Sequence, residues 1–159
     1  MKTFSHWSNL RKRNVTFHFY SPDEEDLYPL VYIVPHNNSE EGAQQVLEKS
    51  AFQEWAYRYK LAVVIPDVTH TAPNIDDANC EDLNCKSHIE RRELASSYEY
   101  FRSELDYLIS ENTPVIKGRQ SIFGIGKGSW LALACALNNP KNYDSASILL
   151  NEQYSSSKN

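Results

Sequence analysis

Three glycines at alternate positions interrupt the sequence Ser121-Ile122-Phe123-Gly124-Ile125-Gly126-Lys127-Gly128-Ser129-Trp130. The residues before the first glycine form a short apolar run typical of a strand. Apolar residues at helical spacing then continue to Leu137, before Asn138-Asn139-Pro140. Glycine allows positive φ and lets a helix pack close against a strand. The pattern therefore predicts a strand, a tight turn and a helix.

This turn has the frame of a nucleophile elbow, the motif G-x-S-x-G that presents a catalytic serine between a strand and a helix. Residues 124–128 match the motif except at its centre, where the serine is replaced by Gly126. Glycine relieves the strain of a positive φ but supplies no nucleophile. Ser121 and Ser129 lie on the strand and the helix and do not share the elbow geometry. We therefore interpret the elbow as degenerate, formed by Gly124, Gly126, Lys127 and Gly128.

Two phosphate-binding motifs fit the same glycines poorly. A P-loop, G-x-x-x-x-G-K-[ST], would need glycine at Ser121 and serine or threonine at Gly128. The dinucleotide motif G-x-G-x-x-G would end at Ser129, where glycine is required. Nucleotide binding is therefore disfavoured. Backbone N–H groups at the start of the helix, beside Lys127, can still attract a small anion.

From about Arg13 to about Leu150, the chain resembles the first half or more of an esterase of the esterase D and tributyrin esterase kind. This is the putative esterase family of the α/β-hydrolase superfamily. The resemblance lies in the order and spacing of residues 14–22, 28–37 and 61–67 and of the elbow. It implies a three-layer α/β fold and a triad of serine, acid and histidine. It also implies an oxyanion hole with one donor from a His-Gly loop, which here is His36-Asn37.

The sequence departs from that active site at three points. The elbow has no serine, the oxyanion loop keeps His36 but has Asn37 in place of glycine, and little chain follows for the acid and the histidine. His36 or His70 is conceivable as a stand-in base, but neither has a nucleophile to activate. We expect a truncated, catalytically degenerate esterase-family protein that acts as a binding or interaction module. The alternative is a carboxylesterase on short acyl esters, completed by a partner chain or an unexpected serine.

The remaining elements follow from hydrophobic periodicity. Alternation predicts an antiparallel hairpin of residues 4–7 and 15–20, and apolar runs predict buried strands at residues 30–34 and 61–65. Residues 145–150 are the last expected strand. One helix is expected over residues 44–59, with a buried face of Leu47, Ala51, Phe52, Trp55, Ala56 and Tyr59. A capping box at residues 87–90 precedes a long helix whose apolar face is Leu94, Tyr98, Phe101, Leu105 and Leu108.

Together these elements predict a single domain over residues 1–159. It would be a doubly wound α/β sheet, mostly parallel, with an N-terminal antiparallel hairpin and with the family's C-terminal strands missing. Residues 153–159 are expected to form a frayed tail. In the family, further strands cover the sheet beyond the last one matched here. We therefore expect a homodimer or a protein partner at the edge formed by Ile148, Leu149 and Leu150.

Composition and charge bear on nucleic-acid binding, membrane insertion and location in the cell. The net charge of −5 disfavours nucleic-acid binding, and Arg11-Lys12-Arg13 is interpreted as a solvated turn. No apolar run is long enough to span a membrane and no signal peptide is evident, so we expect a cytoplasmic protein.

Cysteine spacing raises one further possibility. Cys80, Cys85 and His88 have the spacing of a zinc site that Asp77 or His70 would complete, but such lone clusters are usually coincidental. No metal or cofactor is therefore expected, and the cysteines are interpreted as free thiols.

Overall fold

A mixed sheet with helices on both faces forms the core of the protein. The computed structural model describes residues 1–36, 40–66 and 86–150, with only the backbone described at residues 40–41 and 86–90. The strands are β1 Lys2–Ser8, β2 Arg13–Tyr20, β3 Tyr28–Val34, β4 Ala62–Pro66, β5 Val115–Ile125 and β6 Ser145–Leu149. The helices are α1 Glu40–Lys49, α2 Phe52–Tyr59, α3 Lys86–Tyr100, α4 Asp106–Asn112 and α5 Gly128–Asn138, with a π-helical turn Phe101–Leu105 between α3 and α4.

The six strands lie in the order β1-β2-β4-β3-β5-β6. β1 and β2 form an antiparallel hairpin, and β2 joins β4 antiparallel. β3 lies between β4 and β5 and is parallel to both, and β5 pairs parallel with β6. The prediction of a mostly parallel sheet with an N-terminal antiparallel hairpin is confirmed.

Alternating residues of the central strands divide the core into two layers, because successive side chains in a strand point to opposite faces. Tyr32 and Val64 pack on the face covered by α3, α4 and α5. Ile33 and Val63 pack on the other face, against α1 and α2. Because both faces are covered, the central strands are continuous apolar runs.

The single helix expected over residues 44–59 is two helices in the structure. The backbone N–H and the hydroxyl of Ser50 both donate to the carbonyl of Val46, which closes α1 before α2 begins. Of the expected face, Phe52 and Ala56 are buried, whereas Ala51, Trp55 and Tyr59 are exposed.

The capping box expected at residues 87–90 is wrong, because Ser87 already lies within α3. A serine and a glutamate three residues apart are also one turn apart inside any helix, so their spacing alone does not mark a start.

The long helix after it contains an irregularity that its periodicity did not reveal. In the π-helical turn, the backbone N–H of Asp106 donates to the carbonyl of Phe101, five residues earlier, and the wider turn shifts the buried face. Tyr100, Phe101, Leu105 and Ile109 are buried, whereas the expected Leu94, Tyr98 and Leu108 are only partly buried.

A carboxylate is enclosed beside this irregular segment. The Tyr32 hydroxyl donates to Oδ1 of Asp106 at 2.5 Å, and the Gln120 amide lies 3.4 Å from Oδ2. Burial raises the pKa of Asp106, and the two hydrogen bonds oppose this rise without cancelling it. Ionised Asp106 therefore costs free energy in the native state.

This burial predicts a specific pH dependence. Between the ordinary value of 3.8 and the raised native pKa, folded protein binds the Asp106 proton more tightly than the unfolded chain does. The contribution of Asp106 to the free energy of unfolding therefore falls as pH rises through that window. Urea denaturation across pH should show this fall in the wild type and not in Asp106→Asn. Parallel stability curves for the two proteins would contradict the prediction.

Candidate functional site

The three glycines form the predicted strand, turn and helix. β5 ends at Ile125, Gly126 takes a positive φ of 53°, and α5 begins at Gly128. The backbone N–H of Ser129 donates to the Gly126 carbonyl at 3.1 Å, which closes the turn. The left-handed backbone of an elbow is therefore present at the position without a side chain.

Gly124 and Gly128 are needed for close packing. A Cβ at Gly124 would lie 2.5 Å from the Cα of Ser129. A Cβ at Gly128 would lie 2.3 Å from the Val34 carbonyl oxygen and 2.5 Å from that of Pro35. Because these neighbours are backbone atoms, they cannot move aside, so only glycine lets α5 approach the end of β3 this closely.

At the centre of the elbow, the imidazole of His36 occupies the space of the missing side chain. A Cβ at Gly126 would lie 1.9 Å from Nδ1 of His36 and 2.9 Å from its Cε1. The space above the elbow that a serine would take is therefore filled by a ring from the loop after β3.

The same imidazole also binds a backbone donor of the turn. The N–H of Lys127 donates to Nδ1 of His36 at 3.2 Å, so Nδ1 acts as the acceptor. In an elbow, the N–H of the residue after the centre is one of the oxyanion-hole donors. Here that donor is already bound within the chain.

Neither serine near the elbow is placed to act as a nucleophile. Ser129 is buried, and its hydroxyl donates to the Gly124 carbonyl at 3.2 Å. Ser121 lies at the far end of the apolar run, with its hydroxyl 2.9 Å from that of Ser145. Among the residues that the structure describes, the elbow therefore holds an imidazole and backbone N–H groups but no nucleophilic hydroxyl.

Several candidate residues from the sequence lie outside the described part of the chain. These are Asn37 of the oxyanion loop, and His70, Asp77, Cys80 and Cys85 of the zinc pattern. The backbone of His88 lies in α3, and its side chain is not described. Among the side chains that the structure describes, in residues 1–36, 42–66 and 91–150, no three His, Cys, Asp or Glu groups converge as metal ligands.

Cys135 lies in the core rather than at the site. It is a free thiol on α5, almost completely buried. Burial raises its pKa to about 12, so the thiol stays protonated and unreactive at neutral pH.

The sequence made His36 conceivable as a base beside the elbow, but it did not show that the ring fills the centre and binds the Lys127 N–H. His36 and Lys127 are 91 positions apart, and no spacing rule connects them. The only available signal was topological: loops at the carboxyl ends of neighbouring parallel strands converge at one edge of the sheet.

Comparison with known proteins places these features in a family context. The model of the Esterase family, described as putative esterase, matches residues 8–150. S-formylglutathione hydrolase of Mus musculus is 33% identical over 156 residues, which cover 92% of this chain and 55% of the relative. The enzyme of the same name from Bos taurus is 30% identical, with the same coverage. The chain thus spans about half the length of the curated relatives it matches.

Solved structures agree with this comparison. An S-formylglutathione hydrolase from Agrobacterium tumefaciens superposes with a TM-score of 0.68 at 26% identity, over 92% of this chain and 56% of that one. The S-formylglutathione hydrolase FrmB of Staphylococcus aureus has a TM-score of 0.66 at 17% identity, over 89% of this chain and 53% of that one. At the lower identity the likeness shows the fold alone.

The glycine geometry predicts an order of mutational costs. Gly128→Ala forces a methyl group against two backbone carbonyls and should lower the free energy of unfolding by about 3 kcal/mol or more. Gly126→Ala meets only the movable ring of His36, together with the left-handed backbone cost of about 1 to 2 kcal/mol. Urea denaturation measures both values. A larger loss for Gly126→Ala than for Gly128→Ala would contradict this packing.

The two glycine substitutions can be repeated in the His36→Ala variant as a matched control. Without the ring, Gly126→Ala should cost only the left-handed backbone penalty, so the double-mutant cycle should show coupling between positions 36 and 126. Gly128→Ala should cost the same with and without His36, because its obstacles are the carbonyls of Val34 and Pro35.

Proposed function

Because the chain belongs to the putative esterase family of the α/β-hydrolase superfamily, we propose that it is a catalytically degenerate member that acts as a binding or interaction module. The observation that carries this proposal is the occupied elbow. Gly126 offers no hydroxyl, and the His36 ring stands where one would be. Family membership accounts for the fold, whereas the residues at the centre of the elbow argue against ester hydrolysis.

The state of the oxyanion donor supports the same conclusion. Acyl transfer depends on backbone N–H groups aimed at the developing oxyanion. The Lys127 N–H is instead satisfied by His36 Nδ1, so a substrate carbonyl would have to displace the ring before binding there. A site without a nucleophile and with a donor already engaged suits a protein that has lost hydrolysis.

The second candidate is a carboxylesterase on short acyl esters whose site is completed by a partner chain or a non-standard group. The positive φ at Gly126 favours this second candidate. A catalytic elbow needs that backbone conformation, whereas a turn without catalysis does not. The identity to hydrolases, 33% for the mouse relative, also favours it. Reaction with an active-site-directed fluorophosphonate separates the two candidates, since only the enzyme would be labelled.

We predict that the purified protein does not hydrolyse p-nitrophenyl acetate or butyrate faster than a heat-denatured control. Gly126→Ser alone should remain inactive, because the new side chain meets His36 and an unactivated hydroxyl is a poor nucleophile near neutral pH. Release of p-nitrophenol measures both. Saturable turnover of the wild type that a serine-directed inhibitor abolishes would establish the second candidate instead.

The interaction surface that we assign to this module is the β6 edge. β6 is the last strand in the sheet order, and in the described part of the chain only β5 pairs with it. Its Ile148 and Leu149 are exposed, and Leu150 directly after it is 66% exposed. An apolar strand edge with unpaired N–H and C=O groups is a template for association.

The helix that packs on β6 also exposes apolar side chains. α5 packs against both β5 and β6, yet Leu137 on its outer side is 76% exposed and Trp130 is partly exposed. A helix that is apolar all round is normally covered. The partner we favour is a second copy of this chain, which would extend the sheet across a two-fold axis.

Light scattering at micromolar concentration should therefore report twice the mass of one chain. Ile148→Lys places a charge on the edge and should shift the protein to the monomer mass or cause aggregation. Leu27→Lys is the matched control, because Leu27 is also exposed but precedes β3 rather than lying at β6. If the wild type is a monomer, and Ile148→Lys changes neither its mass nor its solubility, the proposed dimer is wrong.

A further inference from the structure

The elbow turn is hydrogen bonded on two sides, and the two bonds reach different parts of the fold. The backbone N–H of Gly126 donates to the carbonyl of Leu149 at 2.6 Å, and the backbone N–H of Lys127 donates to Nδ1 of His36 at 3.2 Å. Leu149 is the last residue of β6, and His36 lies in the loop after β3. The turn therefore connects the imidazole to the end of the strand that we assign as the interaction edge.

The bond from Gly126 holds the end of β6 against the sheet. Ile125 and Leu149 are the last paired residues of β5 and β6, and the Gly126 N–H continues the ladder by one residue. Leu149 and the following Leu150 are both exposed, so burial of their side chains does little to hold this end in place. The position of these two leucines at the edge therefore depends mainly on backbone hydrogen bonds.

Gly126 is the flexible link between the two bonds, because glycine has the widest range of allowed backbone conformations. On one side, its N–H is held by Leu149. On the other side, the next peptide group accepts from the Ser129 N–H and donates to His36. Loss of the His36 bond removes one of the two bonds on that peptide group. The backbone of Gly126 then varies more widely, and its bond to Leu149 weakens.

A proton on the His36 ring removes its bond to the turn. An imidazole nitrogen accepts a hydrogen bond only while it carries no hydrogen, and in the protonated ring both nitrogens are donors. The Lys127 N–H would then face a second donor in place of an acceptor. Histidine is the side chain that ordinarily changes charge between about pH 5 and 8, so this change lies in a range that proteins meet in cells.

The surroundings of the ring disfavour a protonated imidazole that stays at the turn. The described segments that meet there are residues 34–36, 126–129 and 148–150. Within them, Lys127 is the only charged residue besides a protonated His36, and it is also positive. The start of α5 adds the positive end of a helix dipole. A protonated ring is therefore repelled from the turn.

We propose that His36 is a proton-operated latch for the β6 edge. While the ring is neutral, Nδ1 holds the Lys127 N–H, Gly126 keeps its conformation and its N–H holds the end of β6. A proton from solvent releases the ring from Lys127, and the end of β6 with Leu149 and Leu150 becomes less ordered. The effect on association rests on the dimer proposed above, whereas the latch itself does not.

Nuclear magnetic resonance tests the bond to the ring directly. In protein labelled with ¹⁵N, a scalar coupling across the hydrogen bond should connect the Lys127 amide nitrogen and Nδ1 of His36 at about pH 7.5. At about pH 5 the nitrogen shifts of the ring should report protonation, and the coupling should disappear. A coupling that is absent at the higher pH or that persists in the protonated ring would overturn the latch. A ring that stays neutral at the lower pH would overturn it too.

Amide hydrogen exchange tests the connection to β6 without relying on a dimer. In His36→Asn, the side-chain oxygen stands near the place of Nδ1 and accepts at every pH. At about pH 5 the protection factor of the Gly126 N–H should be about fivefold lower in the wild type than in this variant, and at about pH 7.5 the two should agree. His36→Ala, which has no acceptor, should show the lower protection at both. Equal protection in the wild type and His36→Asn at the lower pH would overturn the coupling.

Association gives a third measurement with a distinctive sign. The net charge of −5 moves toward zero as histidines are protonated, and this change by itself favours association. The latch predicts the opposite: the dissociation constant of the wild-type dimer should rise about tenfold from pH 7.5 to pH 5, because each dimer holds two latches. His36→Asn should not show this rise.

His18→Asn is the matched control for the association measurement. It removes an imidazole from β2, which is separated from β6 by three strands of the sheet, and should keep the pH dependence of the wild type. The same pH dependence in the wild type and His36→Asn would show that His36 does not regulate the dimer. A wild type that is monomeric at both pH values would contradict the dimer alone, and the exchange of Gly126 would still decide the latch.

Discussion

The close approach of α5 to the carboxyl end of β3 organises the edge of the sheet at which the elbow lies. At Gly128 the helix passes so near the Val34 and Pro35 carbonyls that no Cβ fits. That contact fixes where the turn stands relative to the loop after β3, and so it brings His36 over the elbow. The glycines at 124 and 128 therefore serve packing, whereas Gly126 serves the conformation of the turn. The packing requirement at these two positions is independent of which residue stands at position 126.

The elbow keeps the backbone geometry of a nucleophile elbow without the serine side chain. The positive φ, the helix start and the backbone N–H of Lys127 are all present, yet an imidazole takes the place of the serine side chain and accepts from that N–H. His36 belongs to the loop that in related esterases contributes to the oxyanion hole. One histidine thus fills the central position and binds the donor beside it.

Local pattern predicted much of the sheet but misplaced the helix faces. Strand signals were strong because the central strands are buried on both sides and alternate little. The prediction of one helix over residues 44–59 failed because a serine hydroxyl can donate to a carbonyl of its own helix and end the helix there. The spacing of apolar residues does not reveal such an end. The prediction of the buried face after the π-helical turn failed for a related reason. One extra residue in a turn rotates every later side chain, so Ile109 took the core position expected of Leu108.

The sequence by itself determined the order of elements, the strand–turn–helix at the elbow and the absence of serine at its centre, because each depends on residues close together in the chain. Only the tertiary structure decided what fills the elbow and how Asp106 is enclosed. His36 meets Lys127 across 91 positions, and Arg11 meets Ser97 across 86. Such contacts arise from strand order and helix packing, and these follow from burying two apolar faces of one sheet rather than from any local motif.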